Sequence, residues 1–386
     1  MKIAKRFTGH RFRTQVIRKI EGISPEDWGR IFPKVPENYF FLKTLDESHF
    51  KQFSFYYILV YERKQLVGCA PCFMVNYSLD TSVSGPLRRI TNAITKKFPN
   101  LLSIKALVCG IPMGQGQIGI DGFSSAVFEA IEKRMESLAR KIGAPIVAFK
   151  DFDRSYDKFF TPLRQKGFFK IDSLPMTRMP LEFSDFEEYL KILSPSTRYD
   201  FRRKLRRSAH VKIEFNTAKI LDGPTLDEVY GLYLQAVDIH DMNFEIVPKE
   251  FFRLISINMP KETQFFLWRL NGKLVAFSFC LVCGDLILDY YLGFDYLPNQ
   301  EYHLYFIKFK DVMEWCLARG IKTYEMGATG YEPKRRLKFQ FVPVYLYVKA
   351  RHKIMRPFLR ILINFLKFEN FDPVLKQWKK SLKSTN

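Results

Sequence analysis

The feature that most constrains this chain is an order of elements that occurs twice. Residues Tyr56 to Met74, YYILVYERKQLVGCAPCFM, read as two strands joined by a short charged turn. Residues Gln264 to Cys283, QFFLWRLNGKLVAFSFCLVC, read the same way. Their turn is Asn271-Gly272, the two-residue hairpin signal, because both central positions of such a turn need positive φ. Downstream of each hairpin a helix-like stretch ends at a glycine and leads into a strand: FEAIEKRMESLARKIGAPIVAFKD around Gly143, and FKDVMEWCLARGIKTYEMG around Gly320. The copies are offset by 208 residues at Leu66 and Leu274 but by 177 at Gly143 and Gly320, so a whole fold is duplicated rather than a short repeat. The expected class is α/β of the α+β kind: two tandem domains, each a mixed, mostly antiparallel sheet flanked by helices. The boundary is placed at Leu174 to Pro180, where prolines bracket an extended segment. This gives domains at 1–173 and 174–350 and a helical tail at 351–386.

Lys and Arg number 61 against 40 Asp and Glu, a net charge of +21, and such an excess calls for an anionic partner: nucleic acid, an acidic membrane surface or a phosphorylated ligand. With 47% hydrophobic and 16% aromatic residues the chain builds a large core and is not disordered. No run of about 18 uncharged apolar residues is present to cross a membrane. The amino terminus, MKIAKRFTGHRFRTQVIRKIEG, is basic without an apolar segment, so the expected location is the cytoplasm. Cys69 and Cys72, and Cys280 and Cys283, have C-x-x-C spacing, but strand residues three apart point to opposite faces and do not chelate one ion. These are read as buried thiols, and no histidine or carboxylate motif argues for a metal.

Two segments carry candidate chemistry. In Arg198-Tyr-Asp-Phe-Arg202-Arg203-Lys204-Leu-Arg206-Arg207, preceded by Ser194-Pro195 as a helix start, Arg198, Arg202 and Arg206 form one i, i+4 row and Arg203 and Arg207 another. Like charges stacked on a helix repel, and a bound anion relieves that repulsion; the alternative is a solvated basic face. The second segment, Tyr324-Glu325-Met-Gly327-Ala-Thr-Gly330-Tyr331-Glu332-Pro-Lys334-Arg335-Arg336, follows a predicted strand, turns on glycines and delivers three cations. Ligands bind at such strand ends, where glycines let backbone N–H groups come close. Glu325 is a candidate general base, and Tyr331 or Lys334 a contact for a leaving group or phosphate; the alternative is Glu325 paired with a neighbouring arginine as scaffold. His303, at the start of the helix before Gly320, is a candidate proton carrier, and His240 with Asp241 shares that ambiguity. Gly114-Gln-Gly116-Gln-Ile-Gly119 fits G-x-G-x-x-G but lacks the acidic residue that a dinucleotide loop needs, so it reads as a glycine-rich connection.

The segments FEEYLKILSPSTRYDFRRKLRRS, WRLNGKLVAFSF and DYYLGFDYLPNQEYHLYFIKFKDVMEWCLARGIKTYEMGATGYEPKRRLKF resemble the GNAT-like acyltransferases of the FemAB and BioF2-like group, over roughly Phe183 to Val348 with a weaker echo in the first half. The resemblance implies two tandem GNAT-like domains with the acceptor site between them, and N-acyl transfer without a covalent enzyme intermediate. It implies no tightly bound cofactor but an activated acyl donor as cosubstrate: acyl-CoA, acyl carrier protein or aminoacyl-tRNA. The acceptor is then an amine of a cell-envelope precursor, lipid or small metabolite. Carried over position by position, the resemblance matches Arg198, Arg202 and Arg203 to the group's arginine-rich segment and Gly327 and Lys334 to its glycine turn and following lysine. Together with the residues read above, the candidate catalytic residues are Glu325, Tyr331 and His303, and the candidate donor-binding residues are Arg198, Arg202, Arg203, Arg206, Gly327, Lys334, Arg335 and Arg336. The sequence departs from ordinary GNAT enzymes after Gly293-Phe-Asp295, where LPNQEYHLY replaces a glycine-rich pyrophosphate loop.

The rival from another class is a non-enzymatic nucleic-acid-binding protein, which the basic surface supports and the absence of a helix-turn-helix, zinc-finger or RNP signature opposes. In the tail, Phe358-Leu359, Ile361-Leu362-Ile363 and Phe365-Leu366 alternate with Arg360 and Lys367, followed by Lys376, Lys379, Lys380 and Lys383 around Trp378. A basic amphipathic stretch of this kind either lies on an anionic membrane surface, here through residues 355–383 at the inner face, or packs on the protein's own core.

Overall fold

The computed structural model describes residues 12–32, 34–78, 103–240, 245–365, 367 and 372–384. Its strands are β1 (Phe12–Ile17), β2 (Phe53–Glu62), β3 (Gln65–Ser78), β4 (Ser103–Cys109), β5 (Gly119–Ile120), β6 (Ile146–Phe152), β7 (Phe169–Asp172), β8 (Met176–Pro180), β9 (Ile213–Ala218), β10 (Thr263–Leu270), β11 (Lys273–Cys283), β12 (Leu286–Phe294), β13 (Thr323–Glu325), β14 (Gln340–Val342) and β15 (Tyr345–Ala350). Its α-helices are α1 (Pro25–Ile31), α2 (Tyr39–Glu47), α3 (Ser125–Lys141), α4 (Asp157–Phe160), α5 (Phe186–Ile192), α6 (Pro195–Ser208), α7 (Gly223–His240), α8 (Lys249–Asn258), α9 (Tyr296–Tyr302), α10 (Leu304–Leu317), α11 (Tyr331–Arg336), α12 (Arg356–Phe365) and α13 (Pro373–Ser384).

The chain divides into two compact units, one comprising Met1–Lys34, Lys51–Ile171 and Tyr345–Asn364, the other Val35–Phe50, Asp172–Val344 and Phe365–Asn386. The first sheet runs β1-β2-β3-β4-β6-β15-β7, with β5 added to β3; the second runs β14-β8-β13-β12-β11-β10-β9. Each is a mixed sheet flanked by helices, and the pairs β4/β6 and β12/β13 are parallel.

The duplicated order is present in both units. The hairpin β2/β3, then β4, α3 and β6 in the first unit correspond to β10/β11, β12, α10 and β13 in the second. Asn271 and Gly272 take φ values of 51° and 79°, as their hairpin turn requires. Gly143 and Gly320 both take the left-handed conformation just past a helix, at φ 70° and 69°. There Ala144 N–H reaches back to Ala139 O and Ile321 N–H to Cys316 O, so each glycine terminates its helix and aims the next strand.

The units depart from contiguous domains. Strand β15, expected within 174–350, pairs antiparallel with β6 of the first unit, Tyr345 opposite Phe152 and Ala350 opposite Ile146. Residues 35–50, with α2, belong to the second unit. Hydrogen bonding at a sheet edge accepts any extended segment, so the local pattern of β15 says that it is a strand but not whose edge it covers.

The core of the second unit sets α10 against the sheet, with Phe309, Val312, Met313 and Cys316 buried among Phe266, Trp268, Ile287 and Tyr324. Cys69, Cys72, Cys109, Cys280 and Cys316 are buried free thiols and Cys283 is partly exposed. Among the described residues no group of three or more His, Cys, Asp or Glu is placed to hold a metal ion. No described helix is long and apolar enough to cross a membrane.

Candidate functional site

The site forms where two strands part in the second unit. β12 and β13 pair in parallel at three positions only, Leu286 with Thr323, Ile287 with Tyr324 and Leu288 with Glu325. β13 then stops, while β12 continues to Phe294 with β11 on one side. Among the described residues no strand pairs with the other side of β12 from Asp289 onward.

The equivalent place in the first unit is filled by the chain itself. β4 and β6 pair as far as Cys109 and Phe149, and Gly116 N–H then donates to Asp151 O at 3.0 Å. A Cβ on Gly116 would stand 2.1 Å from Lys150 O and 2.6 Å from the Phe152 ring, so glycine alone lets that backbone lie so close. The Gly114–Gly119 motif is thus a packed connection.

Beyond β13 the chain makes a turn held from below. Met326 N–H donates to Thr177 O on β8 at 3.0 Å, and Gly327 O accepts from Thr177 N–H at 3.1 Å and Thr177 Oγ1 at 2.8 Å. Gly327, Thr329 and Gly330 are left-handed, with φ of 58°, 69° and 59°. Lys334, 6% exposed, donates from Nζ to Met326 O at 2.6 Å and to Gly327 O and Ala328 O at 3.3 Å each. Burial lowers its pKa to about 7, Asp289 opposing and Lys308 adding to that fall.

Each face of the parting has its own chemistry. On the α8 side, Glu325 is buried and ion-paired with Arg178, its neighbour across the strand pair on β8. Burial raises the Glu325 carboxyl and Arg178 pulls it back. A bulge opposite Phe279 and Cys280 makes Tyr290 an extra residue, so Tyr290 and Tyr291 both meet the Phe279 ring. Their hydroxyls donate to Glu37 Oε1 at 3.0 Å and Glu245 Oε1 at 3.3 Å, and burial first, then carboxylates, raise both phenols. On the α10 side, Asp289 accepts from Lys308 Nζ, from Tyr324 OH at 2.9 Å and from Ser278 Oγ at 2.6 Å.

A basic cluster stands beside this region. On α6, Asp200 binds Arg203 and Lys204 and receives Arg336 of α11 at 3.5 Å. Burial works to raise the Asp200 carboxyl, but hydrogen bonds from Arg203 and Lys204 outweigh it and hold it at about 2. His303, left-handed at φ 53°, joins α9 to α10, and its Nε2 is enclosed with no hydrogen-bond partner among the described residues. Burial lowers its pKa, and Lys204, Arg207 and Arg203 lower it further, so the ring is neutral at pH 7.

The structure therefore brings Arg203, Arg336 and His303 into one neighbourhood and Glu325, Gly327 and Lys334 into another, with α11 linking them. Arg202 pairs with Glu187 and Arg335 with Glu332 on the surface, Arg206 is exposed and Arg198 half-buried. Two expectations change. Tyr331 is buried with its hydroxyl donating to Pro175 O at 3.0 Å, and Lys334 spends its donors on backbone carbonyls, so neither presents a free donor to a phosphate or leaving group. Asp241 lies outside the described residues, as does the side chain of His240. Sequence reasoning missed Arg178, the tyrosine pair and the Asp289–Lys308 pair. The last had a signal at Asp289, a lone charge within the apolar run LILDYYLGF, since such a charge is buried only with a partner.

Residues 126–380 match the family model FemAB-like, described as peptidoglycan biosynthesis/recognition. A search of curated proteins returns no match. Among solved structures, FemX is similar with a TM-score of 0.56 at 10% identity, over 89% of this chain and 99% of that one. A tandem GNAT protein from the clavulanic acid biosynthesis pathway gives 0.52 at 9% identity, over 87% and 98%. L-PGS from Bacillus licheniformis gives 0.51 at 11% identity, over 84% and 94%. At these identities the likeness establishes the tandem GNAT-like fold.

Proposed function

The chain belongs to the FemAB-like family and is an acyltransferase, and on that premise we propose that it transfers an acyl or aminoacyl group from an activated donor to an amine of a cell-envelope component. The observation that carries this reading is the parting of β12 from β13 beside the turn at Gly327–Gly330. In the proposed step the amine nitrogen bonds to the donor's carbonyl carbon, the C–S or C–O bond to the leaving group breaks, and the amine's proton passes to a base. Glu325 is that base, at the end of β13 with its carboxyl raised by burial. N–H groups of the turn receive the oxyanion. Arg203, Arg336 and the exposed arginines of α6 attract a polyanionic donor, and His303 beside them, neutral at rest, relays a proton to the leaving group by accepting one from solvent and passing it on as the C–S or C–O bond breaks.

The start of α10 favours an aminoacyl or carrier-bound donor over free acyl-CoA. Helix α9 runs directly into it, and the Asn299 side chain accepts from Tyr305 N–H at 3.3 Å, so the first turn is capped from within rather than open to a pyrophosphate. Incubating the protein with an aminated envelope precursor and, in turn, acyl-CoA, acyl carrier protein or aminoacyl-tRNA tests this by mass spectrometry. A new amide on the acceptor with one of the last two is expected; an amide from none of the three contradicts the function, and one from acyl-CoA alone contradicts the donor preference.

We further infer that α12 rests on an anionic membrane surface. Ile354 and Ile361 are 88% and 57% exposed beside Arg360 and Lys353, whereas Leu359 is buried. The apolar face of α13 is used otherwise, since Leu375, Val374 and Trp378 pack on Tyr331 and Phe341. Ile354→Asp with Ile361→Asp should abolish flotation with phosphatidylglycerol vesicles; unchanged flotation contradicts this attachment.

A further inference from the structure

We propose that Lys334 is a positioning residue that orients the oxyanion-receiving N–H groups by collecting the carbonyls of the turn behind them. The inference rests on the reading of the site given above and adds to it a role for a side chain that touches neither substrate.

The argument begins with the peptide bond. The carbonyls of Met326, Gly327 and Ala328 all converge on Lys334 Nζ. Every described peptide is trans, so the N–H following each carbonyl points the opposite way. The N–H groups of Gly327, Ala328 and Thr329 are thereby turned from Lys334. Gly327 O also faces β8, where Thr177 donates to it twice. The following Ala328 N–H then points away from β8, and in the strand order β8-β13-β12 that direction is the side on which β12 has parted. Among the described residues no backbone carbonyl accepts from the N–H groups of Ala328, Thr329 or Gly330.

The amine itself is the second observation. Lys334 is buried, and among the described residues it makes no ion pair. A cation held out of water without a counter-ion costs stability, whereas a methionine of similar length would fill the same space without that cost. Three carbonyl acceptors match the three donors of an ammonium group, so what the lysine supplies that an apolar side chain does not is control of the turn. Left-handed Gly327, Thr329 and Gly330 have alternative conformations within reach, and convergent hydrogen bonds select one of them.

The test compares wild type, Lys334→Met and Thr177→Val for kcat, acceptor KM and amide hydrogen exchange over residues 326–332. For Lys334→Met, kcat should fall about 100-fold, the loss typical of a misplaced oxyanion donor, with acceptor KM changed less than about threefold. Exchange in the turn should quicken. Thr177→Val, which removes one donor to Gly327 O, should move kcat and exchange the same way by a smaller factor. A merely structural lysine would lower thermal stability without separating kcat from KM, and wild-type kcat in Lys334→Met overturns the proposal. Unchanged exchange overturns it too, whether or not transfer is detected. Wild-type protein that transfers nothing contradicts the function, while exchange still decides whether Lys334 holds the turn. If Lys334→Met does not fold, unchanged kcat in Thr177→Val overturns the proposal.

Discussion

Glu325 is pulled two ways, burial favouring its neutral form and Arg178 its carboxylate. A base must be ionised to accept the amine's proton, so activity should rise as pH climbs through a carboxyl pKa above the ordinary value. Glu325→Gln should retain the fold, lose about 100-fold in kcat and lose that acidic limb; full activity across the pH range removes Glu325 from the mechanism. Asp200 presents the opposite sign. Its pKa is depressed from 3.8 to about 2, so its contribution to stability is present above pH 3.8 and is lost as pH falls through about 2. Allowing for screening of a partly exposed group, Asp200→Asn should cost about 1 kcal/mol near neutral pH in urea melts, with little difference from wild type at pH 2.

At the scale of elements, the site follows from unequal strand lengths: nine residues in β12 against three in β13. Helix α13 supports it indirectly by packing on α11. Leu375 is fully buried there, and Leu375→Ala should destabilise the protein by about 2–4 kcal/mol, read from the denaturation midpoint; a loss below about 0.5 kcal/mol would mean that α13 is not docked.

Elements with local chemistry were legible in the sequence. Asn271-Gly272, Gly143 and Gly320 declare their turns, and Ser194 caps α6 as its Ser-Pro start suggests. At the start of α5, Asp185 caps the helix and Glu188 reaches back to Ser184 N–H. The Arg198–Arg207 row marked a real basic cluster, yet spacing did not show that Asp200 would gather Arg203, Lys204 and Arg336. A lysine after a glycine turn looks like a phosphate ligand, because sequence gives its charge and not its direction. The bulge that sends Tyr290 and Tyr291 to one face, and the edge taken by β15, depend on pairing between distant strands and leave no local trace.

Over the whole molecule, a duplicated fold has been specialised unequally. The first unit closes its strand parting with its own Gly116, while the second leaves β12 and β13 apart beneath a braced turn and beside a basic helix. On the proposed reading, the +21 charge draws a polyanionic donor at long range, and the placement of the reacting carbonyl falls to the second unit. The most direct measurement is a crystal structure with a non-reactive donor analogue, such as an amide-linked aminoacyl-RNA. The account predicts one analogue per chain, its carbonyl oxygen within hydrogen-bonding distance of the N–H groups of residues 328–330 and its phosphates toward α6. An analogue seated at the Gly110–Gly119 segment of the first unit, or bound with its carbonyl away from the turn, would contradict it.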